Sequence, residues 1–567
     1  MAPGRLGCSA VSGQRPPADS DRVPFTAGHW PDRGREKKSD KTADQQWSAV
    51  FLWPDDFYDF KKAASYTPSF KYPILNKEPA RALFVKLYQV RGTFIMQTKT
   101  TFRKLLSMVM AIAIPVALQN LLSTTGSMVD TIMLGRLGET EVGAVGLCAQ
   151  FTNLMFSGYW GFIGGGMMFI SQYWGEHNEE GICRSYGIML SFLAAVAAVF
   201  TYLAVAMPEW VMSVYTSSEA MQKVGVEYLH TVGWAYPFMV LAVGMSTLLR
   251  SIERVKIPLV GGIVAVVTNC TCNYILIFGK LGFPALGARG AAYGTILANI
   301  ANVLVIVILA KACHVPFLLE IRRHFGKSRG LVREFLAKSY PIILNEVLIG
   351  VGNMMINIVL GHQADSAIAA TAVFRTLEGL IIAFFSGFSS AATVLVGKEV
   401  GAGNHEEAFS RAYRIIYLCQ AMTLIGCLAV LSIHAPLLHA MGLSGDSYRT
   451  CLGMFTIYTV IGTIRMGNWS MNDTYRSAGD SAFGSLLEIT FMFAMVQPAI
   501  HIANDLFHAP FLLVFALCYV DEPIRYIIMQ THMYSRKWIK PVSDAGRATI
   551  GAFREKYGIR VKERKAS

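Results

Sequence analysis

The sequence predicts an all-α membrane protein of twelve transmembrane helices, arranged as two parallel six-helix repeats. Composition is the first reason: 53% of the 567 residues are hydrophobic and only 16% are charged, whereas soluble domains carry about a quarter charged residues. The second is a series of apolar runs, such as 187–208, 257–278 and 291–310, each near the roughly 20 residues that cross a bilayer core. One run alone would also fit a buried helix of a large soluble protein, but a dozen in series indicate a membrane. The third reason is that the two halves are similar to each other at one constant shift, which places Pro115 on Pro341.

The apolar runs give the positions of the helices. We predict them at 102–134, 141–173, 184–207, 221–250, 257–279, 290–311, 332–360, 367–398, 409–433, 448–476, 482–503 and 509–531. An even number of crossings puts both ends of the chain on one side. The central connection is basic, with Lys311, Arg322, Arg323, Lys327, Arg329, Arg333 and Lys338, and ten more Lys and Arg follow Thr531. This positive-inside pattern places both termini in the cytoplasm, and it accounts for the net charge of +13 without nucleic acid.

Five regions follow from these patterns. Residues 1–95 lack sustained periodicity and are predicted to be a disordered extension, with Met96 as an alternative start of the chain. They show no signal-peptide pattern. The others are an N-lobe (96–311), a basic cytoplasmic linker (312–331), a C-lobe (332–531) and a basic cytoplasmic tail (532–567). We expect a monomeric, multi-pass protein of the cell membrane.

The internal duplication is visible without gaps. Pro115, Gly135, Gly161, Phe162, Gly175 and Asn178 fall on Pro341, Gly361, Gly387, Phe388, Gly401 and Asn404, and sixteen of the seventy positions 111–180 are identical. Because each repeat holds six helices, both enter from the same side, and two such lobes leave a cleft between them.

Ionisable groups do not follow the duplication. Asp130 falls on Ile356, Asn269 on Met495, Asn273 on Ala499, and Asn120 on Glu346, although Arg250–Ser251 falls on Arg476–Ser477. The sequence therefore predicts a duplicated scaffold whose chemistry differs between the lobes, with ion coupling in the N-lobe.

Polar residues inside the predicted spans are the candidate functional groups, because they cost roughly 2.5–3.5 kcal/mol each at mid-bilayer. Asp130 lies on the first helix. Asn269 and Asn273 are four apart on the fifth and share a face, and Thr295 lies on the sixth. With Asp130 they could coordinate Na⁺, or the carboxylate alone could carry a proton. The alternative is that Asp130 reaches the interface and that the amides and hydroxyl join neighbouring helices.

The C-lobe has its own candidates. Glu346 and Glu488 are the stronger functional candidates, whereas Arg375 and Glu378, three apart, could either form an ion pair that holds the lobe together or have a role in transport. Arg476 and its neighbour Asp473 are predicted to be solvated at the cytoplasmic end.

Two further groups concern motion and substrate. Pro115 and Pro341 lie inside the first helix of each repeat and are candidate hinges. An aromatic surface for flat organic cations is predicted from Phe156, Trp160, Phe385 and Phe388. Ordinary packing is the alternative for most of these aromatics.

Motifs for other chemistry are missing from the sequence. There is no P-loop, no HExxH, no Ser–His–Asp pattern and no clustered set of metal ligands. We therefore expect neither an enzyme nor a cofactor, and ATP is not predicted to drive the process directly.

Several segments resemble the multidrug and toxic compound extrusion (MATE) family, with a NorM- or DinF-like bacterial character. They are VDTIMLGRLGETEVGAVGLCAQ (129–150), NCTCNYILIFGKLGFPALGARGAAYGT (269–295), NEV around Glu346, INIVLGHQADSAIAATAV (356–373) and YRSAGDS (475–481). The resemblance covers roughly residues 100–530.

This resemblance implies a twelve-helix antiporter that exports organic cations in exchange for Na⁺ or H⁺. It implies an N-lobe cation site at Asp130, Asn269, Asn273 and Thr295, and a C-lobe glutamate at Glu346. Two departures matter: Asn273 stands where some members have a second aspartate, and Arg465 stands where Glu346 would have an acidic partner. The alternative is a flippase for lipid-linked precursors, which Arg375 and Arg465 would suit.

Overall fold

The computed structural model describes residues 100–318, 320–324, 326, 329–361 and 365–559, and the predicted extension 1–95 lies outside them. In this part of the chain the regular structure is helical, which confirms the predicted all-α class. The helices are α1 (Phe102–Gly135), α2 (Glu139–Glu176), α3 (Glu179–Ala206), α4 (Pro208–Tyr215), α5 (Glu219–Val232), α6 (Tyr236–Ser251), α7 (Lys256–Phe278), α8 (Ala288–Ala312), α9 (Ile321–His324), α10 (Arg329–Gly361), α11 (Asp365–Gly401), α12 (His405–Ser432), α13 (His434–Ala440), α14 (Gly445–Ser477), α15 (Ser481–Phe491), α16 (Gln497–His501), α17 (Phe511–Leu517), α18 (Asp521–Ser535) and α19 (Asp544–Lys556).

Nine helical segments within the described residues are long and apolar enough to cross a membrane. They coincide with the predicted spans other than 141–173, 448–476 and 509–531. Those three lie on α2, on α14 and on the pair α17–α18. The last two carry several charged side chains, such as Arg465 and Arg525, which lower their mean hydropathy.

Three predicted spans are interrupted. A 3₁₀ turn separates α5 from α6, two π turns flank α16, and a short break divides α17 from α18. Pro237, Pro498 and Pro523 lie in the first turn of the helix that resumes after each interruption. Proline has no N–H to donate and is tolerated there, whereas it disrupts a helix interior.

Two hydrophobic cores each include the start of a helix that belongs to the other repeat. One consists mainly of residues after 356, together with the first half of α1 from Leu105 to Val116. The other consists mainly of residues between 148 and 318, together with Phe335 at the start of α10. The first helix of each repeat therefore begins in the core of the other repeat.

Close helix crossings join the two halves at duplicated glycines. A Cβ at Gly161 of α2 would lie 2.6 Å from the Cα of Ile343 on α10. One at Gly387 of α11 would lie 2.4 Å from the carbonyl oxygen of Ala113 on α1. Since Gly161 and Gly387 are equivalent positions of the two repeats, the duplication extends to these contacts.

A second pair of duplicated glycines brings α2 and α11 together at their C-terminal ends. A Cβ at Gly175 would lie 1.9 Å from the carbonyl oxygen of Lys398, and one at Gly401 would lie 1.9 Å from that of Gln172. Only glycine fits at such distances. We call this crossing the glycine seam.

The segment after α18 is packed against the helices rather than extended from them. Trp538, Ile539, Val542 and Ser543 are all at most 2% exposed. The indole nitrogen of Trp538 donates to the carbonyl oxygen of Met533 at 3.0 Å. The part of the predicted tail that the structure describes is therefore an ordered element ending in α19.

Candidate functional site

The N-terminal half brings Asp130 and both asparagines together. Asn273 Nδ2 donates to Asp130 Oδ1 at 2.7 Å. In the amide orientation that satisfies both partners, Asn269 Nδ2 lies 2.7 Å from Asp130 Oδ1 and 3.3 Å from Oδ2. The four-residue spacing on α7 thus presents two amides to one carboxylate on α1.

Asp130 has no ion-pair partner in the part of the chain that the structure describes. Among the described residues, no Lys, Arg or His forms an ion pair with it, although nineteen ion-pair contacts occur elsewhere. Its neighbours are neutral amides. A carboxylate in this setting can be neutralised by a proton or by a cation that comes from outside the protein.

Helix α8 approaches Asn273 closely because it has a glycine at the point of contact. A Cβ at Gly294 of α8 would lie 1.9 Å from Asn273 Oδ1. That oxygen is buried and has no hydrogen-bond partner among the described residues. The hydroxyl of the neighbouring Thr295 donates to Ala291 O at 3.1 Å, within its own helix. Thr295 therefore donates its hydroxyl proton within α8, and its role in the site stays a prediction.

Glu346 and Glu488, in the other half, are joined to arginines. Arg476 Nη1 lies 3.3 Å from Glu346 Oε1, and Arg525 Nη1 lies 3.5 Å from Glu488 Oε1. Glu488 also accepts from the amides of Asn345 and Asn472, each at 3.2 Å. The arginine partners distinguish these carboxylates from Asp130.

Arg476 corrects one expectation directly. It was predicted to be solvated, but its side chain is only 13% exposed. Its Nη2 donates to Asn345 Oδ1 at 2.6 Å. The helix end is covered by α10, which the position in the sequence does not reveal.

The duplicated arginines, Arg250 and Arg476, make equivalent contacts. Arg250 Nη2 donates to Gln119 Oε1 at 2.6 Å, and the constant shift between the repeats places this contact on the one between Arg476 and Asn345. Each repeat therefore has an arginine from its fourth predicted helix bound to an amide on its first. The match of the two arginines along the sequence thus extends to their contacts.

Arg375 and Glu378 are in contact, as their spacing predicted. Arg375 Nη1 lies 2.9 Å from Glu378 Oε2. Arg465 Nη1 of α14 lies 2.6 Å from the other oxygen of the same carboxylate. One carboxylate is thus shared by two guanidinium groups.

Three residues at the start of α18 belong to the same network but were not predicted. Arg525 lies 2.8 Å from Glu522 and 3.3 Å from Asp521. The signal was available, because three ionisable residues within five positions of a predicted span are costly unless they are paired.

The predicted aromatic surface divides into exposed and buried residues. Trp160 is 47% exposed and Phe156 is partly buried. Phe385 and Phe388 are 5% and 2% exposed and pack in the core. In this conformation the last two cannot contact a substrate.

The candidate hinge prolines lie where they were predicted. Pro115 is inside α1, and Pro341 is inside α10. Both α1 and α10 are continuous helices through the proline.

Comparison with known families identifies the class. The MatE family model matches residues 115–275 and 341–496, together more than half of the chain. The chain belongs to the MatE family. The two matched segments begin at Pro115 and Pro341, the equivalent prolines of the two repeats. Members of this family are transporters, not enzymes.

Individual relatives are multidrug resistance proteins and transporters. The probable multidrug resistance protein YoeA of Bacillus subtilis is 27% identical over 296 residues, 52% of this chain and 64% of that protein. The uncharacterized transporter YisQ of the same organism is 21% identical over 72% of this chain and 90% of that protein. The probable multidrug resistance protein NorM of Thermotoga maritima is 26% identical over 52% of this chain and 63% of that protein. The chain thus spans less than two thirds of YoeA and of this NorM.

Solved MATE structures have the same fold. A MATE protein in a straight conformation matches with a TM-score of 0.68 at 17% identity, over 76% of this chain and 96% of that one. A MATE protein in a bent conformation matches with a TM-score of 0.67 at 18% identity, over 80% and 96%.

Proposed function

We propose that this MatE family protein is a secondary active efflux transporter that exchanges small organic cations for Na⁺ or H⁺ by alternating access. The observation that carries the proposal is the uncompensated carboxylate of Asp130 between two amides on α7. Relatives named as multidrug resistance proteins support the substrate class.

Asp130 would couple ion to substrate by charge. A carboxylate within a membrane span is costly unless it is neutralised. An ion or proton bound there removes that cost, and a cationic substrate competes for the same charge. A ligand shifts a conformational equilibrium only through its different affinity for the two states. We assign this difference to Asp130.

The C-terminal half is a weaker candidate for coupling. Glu346, Glu378 and Glu488 each have an arginine partner. Neutralising one of them would remove a charge that its arginine partner balances, whereas the described contacts of Asp130 are with neutral amides. We therefore propose a single coupling site in the N-lobe, with Na⁺ and H⁺ both retained as coupling ions.

The moving parts follow the duplication. We propose that lobes 96–311 and 332–531 rock about the glycine crossings, that α1 and α10 bend at Pro115 and Pro341, and that Phe156 and Trp160 face the substrate.

We also propose a monomer in the cell membrane with both termini in the cytoplasm. The flippase alternative is not proposed, because the relatives include multidrug resistance proteins.

The test is gradient-driven transport by purified protein in liposomes. Wild type should move ethidium against its gradient when Na⁺ or H⁺ is supplied on the opposite side. Asp130→Asn, which keeps the shape and removes the charge, should fall to the rate of protein-free liposomes. Asp505→Asn is the matched control, because Asp505 is 62% exposed. Ethidium transport by Asp130→Asn at the wild-type rate would refute the proposal.

A further inference from the structure

Two arginines contact the single carboxylate of Glu378. Glu378 is 4% exposed, and one of its oxygens is bound by Arg375 and the other by Arg465. Tyr519 adds a hydrogen bond to the oxygen that Arg465 binds. Three donors therefore contact this carboxylate.

Glu522 is the next carboxylate near the two arginines. Its Oε1 lies 3.8 Å from Arg465 Nε, and its other oxygen is bound by Arg525 at 2.8 Å and by Asn468 at 2.6 Å. Arg465 is therefore shared between two carboxylates, whereas Glu378 is the one carboxylate within ion-pair distance of Arg375 among the described residues.

Both arginines are partly exposed. The side chains of Arg375 and Arg465 are 38% and 25% exposed. The remaining contact of Arg375 is long, 3.4 Å to the amide oxygen of Asn357. Arg375 is ten residues into α11, about 15 Å along the helix from Asp365. An exposed arginine at such depth faces a water-filled space rather than lipid.

Asp130 lies five residues from the end of α1, about 8 Å along the helix. The end of α1 and the start of α11 are predicted on the same side of the membrane. We propose that Arg375 and Arg465 form a subsite for a carboxylate on the substrate, so that the cleft selects amphiphiles carrying both a cationic and an anionic group. A guanidinium binds a carboxylate through two parallel hydrogen bonds. This inference deepens the proposed function and rests on it for the transport step.

A matched pair of dyes tests the subsite. Rhodamine 110 has a free carboxylate, and rhodamine 123 is its methyl ester. Wild type should transport rhodamine 110 with the lower KM. In Arg375→Gln the KM ratio of ester to acid should fall by about tenfold, since one charge-assisted contact is lost. Arg375→Lys keeps the charge without the fork and should give an intermediate ratio.

The ratio cancels any general loss of activity, and Arg136→Gln, an exposed arginine just after α1, is the control. An unchanged ratio in Arg375→Gln would overturn the subsite. If wild type moves neither dye under a gradient, the proposed function fails. The ratio of the two dissociation constants, measured by fluorescence anisotropy in detergent, then tests the subsite alone.

A second inference concerns residues 538–556, which we call the C-terminal clasp. The clasp binds α2 through its backbone. The amide of Val542 donates to Gln172 Oε1 at 2.8 Å, and the amide of Ala545 donates to Glu176 Oε1 at 2.7 Å.

The clasp also binds elements of the other repeat. Ser543 Oγ donates to Gly401 O at 2.9 Å, and the ring of His405 contacts Gly546 O at 3.1 Å. Arg547 forms an ion pair with Glu334. Because Gly401 is a member of the glycine seam, the clasp is bonded to the seam itself.

The geometry assigns the clasp a locking role: it holds the C-terminal ends of α2 and α11 together, and must be released from one of them before the lobes separate there. The lock rests on the proposed alternating access. In a double variant, Glu176→Cys with Ala545→Cys, a short reducible bis-methanethiosulfonate linker joins the clasp to α2. The control, His405→Cys with Thr549→Cys, joins it to α12 alone, since those side chains lie 3.0 Å apart.

Linking the first pair should stop transport of ethidium, and reduction should restore it. Linking the control pair should leave more than about half of the rate, and wild type treated with the same reagent controls for native cysteines. Full transport by the completely linked first pair would overturn the lock, as would equal arrest by the control pair. Absence of ethidium transport by wild type would instead count against the proposed function.

Discussion

The carboxylates of the candidate sites are of two kinds. Glu346, Glu378 and Glu488 have arginines within 3.5 Å. Asp130 has two neutral amides instead. In a low-dielectric setting an opposite charge fixes the ionised state, whereas amides stabilise it only partly. A charge that the protein leaves unbalanced is therefore the one that an ion or a substrate can balance.

How much of the site was predictable depends on the kind of contact. Spacing along α7 predicts that Asn269 and Asn273 share a face, and the structure shows both at Asp130. Spacing does not predict which neighbouring helix that face meets. For the same reason the burial of Arg476 under α10 was missed, and Thr295 was predicted at the site although its hydroxyl binds its own helix.

At the scale of helices, hydrophobic runs predicted positions well. Each apolar run has to pair its own backbone groups, so that its limits in sequence are nearly the limits of the helix. The interruptions before Pro237 and Pro498 were not predicted. Proline is tolerated both in the first turn of a helix and inside membrane helices. Its presence therefore does not show whether a helix is interrupted before it or continues through it.

The glycine seam makes a prediction about stability. Gly401→Ala places a methyl group 1.9 Å from the carbonyl oxygen of Gln172, a backbone atom that cannot rotate away. Overpacking of this kind costs about 1–3 kcal/mol of unfolding free energy. Thermal unfolding in detergent micelles measures it. Gly350→Ala on α10 is the control, since nothing lies within 4 Å of that position. Equal unfolding temperatures of Gly401→Ala and Gly350→Ala would contradict the close approach of α2 and α11 at the glycine seam.

For the whole molecule, the duplication gives a symmetric scaffold with asymmetric charge. The glycine crossings and the arginine–amide pairs recur at equivalent positions of the two repeats. Asp130, which has no ion-pair partner among the described residues, lies in one half, and the cluster of Arg375, Glu378 and Arg465 lies in the other. The scaffold was predictable from identities along the chain. The charge balance was not, because it depends on contacts between helices that are far apart in sequence.

The central claim is that one carboxylate links the ion to the substrate. If both compete for Asp130, each must weaken the binding of the other by the same factor. The dissociation constant of ethidium, measured by fluorescence in detergent, reports this without any membrane gradient. Asp505→Asn is again the matched control.

The decisive experiment measures the dissociation constant of ethidium while Na⁺ is varied at fixed pH, and again while pH is varied at fixed Na⁺. For wild type, raising the coupling ion should raise the ethidium dissociation constant by at least about fivefold, the low end of typical coupling energies. For Asp130→Asn the constant should stay flat across both series. A variant without the carboxylate that keeps the full ion dependence would contradict the account.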